Sequence, residues 1–300
     1  MYDLIKIRMY TKEPVYKRLP NIITESDPYG RISYKTNINH LSFRQNDNEI
    51  SINGSFPKYY YNTNACVLNR VDTKFMIEQL SDYLSVNIGK ANVCQIEITN
   101  NLIMKYSIGL YLDSLGSLRY FKCMNMENET KYYINSLQKV TFYDKTKELK
   151  NKRKIVPEIY YGRNVLRYEM RIKKRMSNYF NMNEIKMEDL YSFEFYSKAL
   201  SAWQSTYFDI EKVKKVKPNN KYLTNAKNLE IYLAAEGLKA LGYNEVQSII
   251  MLHKIETSKS NHHRLMKKLK SIAETPFCTE TKDVIQELDK KIKYCAESYI

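Results

Sequence analysis

Tyr143 stands two residues before Lys145 in the segment Lys139-Val-Thr-Phe-Tyr-Asp-Lys145. Read as a strand, this segment points Thr141, Tyr143 and Lys145 to one side and Val140, Phe142 and Asp144 to the other, because strand side chains alternate with period two. Two further segments share the design. Gln95-Ile-Glu-Ile-Thr99 sets Ile96 and Ile98 against Gln95, Glu97 and Thr99. Arg167-Tyr-Glu-Met-Arg171 sets Tyr168 and Met170 against Arg167, Glu169 and Arg171. If the three strands share a sheet, one face gathers a phenol, two carboxylates, a lysine and two arginines. That set suits attack on a phosphodiester. A phenol of ordinary pKa about 10 is a weak nucleophile at neutral pH. A neighbouring cation such as Lys145 favours the phenolate, and a divalent ion held by Glu97 and Glu169 would offset charge on the phosphate oxygens. Arg167 and Arg171 are placed to clamp flanking phosphates.

The elements that must position these groups fill the first part of the chain. Candidate strands are 4–10, 31–36, 40–44, 49–54, 65–69, 93–99, 118–123, 131–134, 139–145 and 165–173, separated by Asn, Asp, Gly and Pro turn clusters. A helix capped by Asp72 carries Phe75, Ile77, Leu80, Tyr83 and Leu84 at helical spacing, and a shorter one covers 108–115. After about residue 183 the period changes: Leu190, Phe193, Tyr196, Leu200 and Trp203 recur at three and four. Helices are then expected at 225–241, 244–255, 260–272 and 282–299. The reading is an α+β chain: a mainly antiparallel sheet domain with helices on one side over residues 1–185, then a helical region over 186–300.

Composition bounds the partners. The 300 residues carry 48 Lys/Arg against 33 Asp/Glu, a formal net charge of +15, which points to a polyanion and first to nucleic acid. Residues 145–175 hold twelve Lys/Arg and three Glu, interleaved with Tyr160, Tyr161 and Tyr168. That mixture suits a single-stranded backbone with stacked bases. Residues 212–227 add six lysines and no acid, which reads more simply as a solvated face. No apolar run approaches the ~18 residues of a spanning helix, so a membrane partner is not expected. The opening residues lack the apolar stretch of a secretory signal. Five scattered cysteines without a C-x-x-C argue against a zinc site or a disulfide framework. The expectation is reduced thiols in a cytoplasmic protein. Twenty-seven tyrosines mean that one tyrosine on a sheet face is no site without its companions.

The order of these segments resembles the replication initiators of filamentous phages, the gene II/X family, over roughly residues 1–210, and more distantly the rolling-circle plasmid initiators. Met1-Tyr-Asp-Leu-Ile-Lys-Ile-Arg8 resembles the family's opening strand. Gln95-Ile-Glu-Ile-Thr99 stands where an Arg-Ile-Asp-Ala-Thr type motif is found. Thr141-Phe-Tyr-Asp-Lys-Thr-Lys-Glu-Leu149 resembles the segment with the nicking tyrosine. Val165-Leu-Arg-Tyr-Glu-Met-Arg-Ile172, followed by Lys173-Lys-Arg175, resembles a Leu-Val-Arg-Phe-Glu-Ala-Arg-Ile motif. Replication proteins of Bacteroidetes phages are similar too, through Asn53-Gly-Ser55 and Lys58-Tyr-Tyr60.

The resemblance implies a DNA-nicking initiator of rolling-circle replication that leaves a 5′-phosphotyrosine and a free 3′-hydroxyl. It places the nucleophile at Tyr143, support at Lys145, and Mg²⁺ or Mn²⁺ on Glu97 and Glu169. DNA contacts fall to Lys58, Arg167, Arg171, Lys173, Lys174 and Arg175. Origin DNA, single-stranded or supercoiled, is the expected partner, with a host helicase or polymerase as further candidates. The chain departs from the wider pattern of nicking initiators in lacking a His-x-His pair. His262 and His263 are adjacent, in the helical region, and read as surface residues; His40 is a candidate third ligand that reads more simply as structural. Two rival readings remain open: a non-catalytic origin-binding or regulatory relative of the same fold, and an RNA-binding sheet with aromatics facing solvent. Glu97 and Glu169 discriminate, since a carboxylate facing nucleic acid is unfavourable unless a metal lies between.

Overall fold

The three alternating segments pair side by side, and their register puts the reactive residues in one block. In the computed structural model, which describes residues 1–126, 129–213, 226–241, 243–252, 259–273 and 281–298, ten strands form one antiparallel sheet. They are Tyr2–Tyr10 (β1), Ile23–Ser26 (β2), Ile32–Ile38 (β3), Leu41–Asn46 (β4), Glu49–Ser55 (β5), Asn92–Met104 (β6), Lys122–Met126 (β7), Thr130–Ile134 (β8), Gln138–Asp144 (β9) and Asn164–Ile172 (β10). The spatial order is β2-β3-β4-β5-β1-β6-β10-β9-β8-β7. At its centre Glu169 of β10 pairs with Thr99 of β6 and Thr141 of β9, and Arg167 pairs with Asn101 and Tyr143.

One face of this sheet is the main core. Ile96, Ile98, Val140, Phe142, Tyr168 and Met170 are buried there. Helices Ile108–Ser114 (α3), Phe193–Phe208 (α6) and Thr281–Ser298 (α10) cover that face. An aromatic stack fixes the contact: Phe142 lies on Tyr168 at 4.4 Å between ring centroids, and Tyr168 on Trp203 at 4.6 Å. The Tyr168 hydroxyl donates to the Trp203 carbonyl at 2.8 Å. The remaining helices are Phe56–Tyr61 (α1), Arg70–Leu84 (α2), Lys145–Asn151 (α4), Met176–Phe180 (α5), Ala226–Leu241 (α7), Tyr243–Leu252 (α8) and Lys259–Ala273 (α9). The architecture is α+β, and among the described residues no helix is long and apolar enough to cross a membrane.

Several local expectations need correction. Residues 65–69 form no strand; only Leu68 makes an isolated bridge to Tyr2, because the Asn64 and Ala65 carbonyls accept from side chains instead. Helix α2 is capped by Asn69, whose side chain accepts from the Asp72 N–H at 2.8 Å. Residues 118–121 turn rather than extend, with Tyr120 at φ 65°. β9 stops at Asp144, whose carboxylate accepts from the Lys147 N–H and starts α4, so Lys145 is helical. β2 is a strand that the sequence does not signal, because its four residues are all exposed and show no alternation. The periodic C-terminal stretches are helices, within a residue or two where described. Lys214, Lys215, Lys217 and Lys221 of the second basic cluster lie outside the described residues, as does Cys278; the other four cysteines are free thiols.

Deleting the ring at the end of the stack away from Trp203 tests this packing. Phe142→Ala is expected to cost roughly 3–5 kcal/mol of stability, read as a lowered midpoint of urea unfolding; a loss under ~1 kcal/mol would contradict the assigned core face.

Candidate active site

A β-bulge builds the polar face opposite that core. Tyr2 pairs with Ile98 and Ile5 with Ile96, so Asp3 and Leu4 together stand against Glu97. Such a bulge adds a residue to one strand and re-aims side chains. Here it turns Asp3 under the sheet beside Glu97 and Glu169. One oxygen from each of the three carboxylates lies within 4.8 Å of the others. Alternation does not mark Asp3, because the bulge breaks the period-two rule that marks Glu97 and Glu169. The signal available was an aspartate inside an apolar opening strand.

Arg167 holds the cluster. It has no exposed surface, and its donors are spent inside the protein. Nε donates to Glu169 Oε1 at 2.8 Å, one terminal nitrogen to the Asn64 carbonyl at 2.8 Å and Asn101 Oδ1 at 3.3 Å, and the other to Asp3 Oδ2. This corrects the expectation that Arg167 clamps a phosphate: burial keeps it from the surface. Arg171, partly exposed, donates from Nε to Glu97 Oε2 at 2.6 Å. The Ser55 hydroxyl donates to Asp3 Oδ1. Glu97 Oε1 and Glu169 Oε2 accept no hydrogen bond among the described residues. Three hard oxygen donors with two such free positions fit Mg²⁺ or Mn²⁺.

Tyr143 completes the group. Its hydroxyl donates to Glu169 Oε1 at 2.8 Å, and its ring borders a cavity of about 350 Å³ together with Tyr132, Lys139, Thr141, Lys147 and Glu169. Burial pushes the phenol well above its ordinary pKa, Arg167 opposes this, and Glu169 adds to it. Lys145 was expected to favour the phenolate by direct proximity. It is fully buried, its Nζ donates to Glu148 Oε2 at 2.9 Å, and it sits 5.9 Å from the Tyr143 ring centroid. Burial and Arg167 lower its pKa to about 8, against Glu148. Burial, then Glu169 and Asp3, raise Glu97 to about 8, opposed by Arg171 and Arg167. For Arg167, burial opposes the charge, and Asp3, Tyr143, Glu169 and Glu97 outweigh it.

The other expected residues lie around this centre. Lys58 is half-buried in α1, the helix that begins after Ser55. Lys173 is half-buried and donates to the Asn135 carbonyl at 2.7 Å, while Lys174 and Arg175 are exposed at the end of β10. His40 is exposed in the turn between β3 and β4, where Asn39 and His40 take φ of 39° and 73°. It is not among the clustered acids, and Asp3 is the third carboxylate. His263 is exposed on α9, whereas His262 is half-buried.

The raised Glu97 pKa carries a sign. The folded chain keeps this proton in a range where the unfolded chain, at 4.5, has released it. The folded state therefore binds more protons, and stability falls as pH rises from 4.5 through about 8. Melting temperatures without divalent ions should drop across this window for the native protein and drop less for Glu97→Gln; parallel curves would contradict the assignment.

Family comparison places these residues in context. A family model for the N-terminal region of the replication-associated protein of phage gene II matches residues 1–198, a span that contains all ten strands and Asp3, Glu97, Tyr143, Lys145, Arg167, Glu169 and Arg171. No curated protein matches the chain. The match covers well over half of the 300 residues, and the chain belongs to this family, the phage rolling-circle replication initiators of gene II type.

Proposed function

We propose that this initiator nicks one strand of its origin DNA through Tyr143. The Tyr143 oxygen attacks the scissile phosphorus, the bond to the 3′-oxygen breaks, and a 5′-phosphotyrosine and a free 3′-hydroxyl result. Reversal of the same exchange rejoins strands without a nucleotide cofactor, because the broken bond's energy is kept in the phosphotyrosine. The observation that carries the reading is the hydrogen bond from the Tyr143 hydroxyl to Glu169, inside a three-carboxylate cluster and at the wall of an open cavity.

Each neighbour has a part in this reading. Glu169 already accepts from the phenol and is placed to take its proton as the oxygen attacks. Arg167 holds Glu169 and Asp3 in position and, by its charge, opposes the rise of the phenol's pKa. A divalent ion on Asp3, Glu97 and Glu169 would supply charge neutralisation at the phosphate. Arg171, partly exposed beside Glu97, and the exposed Lys174 and Arg175 lie where a strand leaving the site would run.

Incubation with supercoiled DNA carrying its own origin, plus Mg²⁺ or Mn²⁺, should give nicked circles and a covalent protein–5′-phosphate adduct. Tyr143→Phe should reduce the adduct by ~10²-fold or more while leaving DNA affinity within a few fold. Full nicking by that variant would remove the assignment, and binding without any adduct from the native protein would favour the non-catalytic reading. Lys174→Ala should weaken binding across all sequences and lower the salt slope by about one; an unchanged slope would take Lys174 off the DNA path.

A further inference from the structure

Helices α7, α8 and α9 lie beyond the matched span and pack against one another. Ala235 and Leu238 of α7 and Leu269 of α9 are buried. Helix α9 reads Lys-Ser-Asn-His-His-Arg-Leu-Met-Lys-Lys-Leu-Lys-Ser-Ile-Ala and holds no acidic residue. Its inner side is set by Leu269, with Met266 and His262 half-buried one and two turns before it. At 100° per residue, Arg264 and Lys267 project from the opposite side and Lys268 flanks them. All three are exposed. Among the described residues none of the three forms an ion pair, whereas exposed lysines elsewhere do, as Lys90 with Glu188 and Lys198 with Glu194. A fold that only needed solubility could neutralise part of such a face with a single glutamate at i+4.

We propose that this face of α9 binds the phosphate backbone of double-stranded DNA. Three observations select that partner. The charge is uniformly positive, which suits a polyanion. The helix carries no Phe, Tyr or Trp, so apart from the exposed His263 it offers no ring for the kind of stacking platform that holds single strands. Leu269 is buried and Met266 and Ile272 half-buried, which leaves Leu265 as the one exposed large apolar residue of the helix, too little apolar surface to lay into a bilayer as a membrane-surface helix would. A helix of this width fits a major groove about 12 Å wide, and its 15 residues, at ~1.5 Å each, span about six base pairs of duplex. The surface would hold intact duplex beside the origin while the sheet site handles the strand to be cut. It does not rest on Tyr143 being the nucleophile, because its readout is duplex binding alone.

The full chain is titrated against a 20-base-pair duplex of arbitrary sequence, a single-stranded 20-mer and vesicles rich in anionic lipid, with salt varied from ~50 to ~200 mM. Arg264→Ala/Lys267→Ala/Lys268→Ala should bind the duplex about 10-fold more weakly and with a salt slope lower by two to three. The single strand should be affected far less, and the charge-keeping Arg264→Lys/Lys267→Arg/Lys268→Arg should restore duplex affinity. Circular dichroism checks folding, and Lys267→Glu at one exposed position gives the same readout should the triple variant lose helix. Unchanged duplex affinity and slope would overturn the proposal. So would an equal loss on the single strand, or a loss confined to the vesicles.

Discussion

A buried guanidinium is the contact on which the polar face depends. Arg167 donates to Asp3 on β1, to Glu169 on its own strand, and to the backbone of the segment after α1. It thereby ties three separate parts of the chain together. Ionised carboxylates with oxygens within 4.8 Å of one another repel by roughly 3–4 kcal/mol per pair at an effective dielectric near 20; the charge of Arg167 offsets part of this, and Glu97 relieves more of it by keeping its proton up to about pH 8. Burial makes Arg167 costly to desolvate, yet removing it would leave like charges uncompensated, which is the more severe penalty. The charge Arg167 supplies is also felt by Tyr143 and Lys145, whose pKa values it lowers.

The position of the polar face is set from the other side of the sheet. Phe142 and Tyr168 stack under Trp203, and their chain neighbours Tyr143, Arg167 and Glu169 necessarily point the opposite way. A slip of one residue in β9 would exchange Phe142 with Tyr143 and bury a phenol where a ring must stack. Apolar packing thus enforces the register that brings the Tyr143 hydroxyl to Glu169. The two faces are one constraint: the stack supplies the rigidity, and the ion pairs supply the direction of the side chains.

How far the sequence could be read follows from the same physics. β6, β9 and β10 were legible because each alternates cleanly between core and site, which also located Glu97, Tyr143 and Glu169. The C-terminal helices were legible by their period. Asp3 was hidden because the bulge at Asp3 and Leu4 breaks the period-two rule locally. Residues 65–69 look like a strand by composition, but the Ala65 carbonyl is committed to Asn101 and Tyr160, and the preceding Asn64 carbonyl to Arg167, all distant in sequence. Lys145 continues the alternation on paper; the Asp144 side chain, accepting from the Lys147 N–H, ends the strand first. What alternation cannot reveal is depth. Arg167 and Arg171 share a face, and only the packing of the 64–65 segment over the first makes it internal.

Charge balance limits what such a site can offer DNA. Asp3, Glu97, Glu148 and Glu169 face Arg167, Arg171, Lys145 and Lys139, four acids against four bases. Glu97 holds its proton up to about pH 8 and Lys145 loses its own near the same value, so below that pH the set carries a small positive excess and near it the two changes cancel. A phosphodiester entering the cavity beside Tyr143 uses up that excess. The attacking phenol adds further negative charge if its proton leaves the site. Retaining that proton on Glu169 avoids this cost, and a divalent ion at the carboxylate positions left open on Glu97 and Glu169 would offset the charge that develops on the phosphate oxygens. This narrow balance is the physical ground for both the proton acceptor and the metal in the proposed reaction.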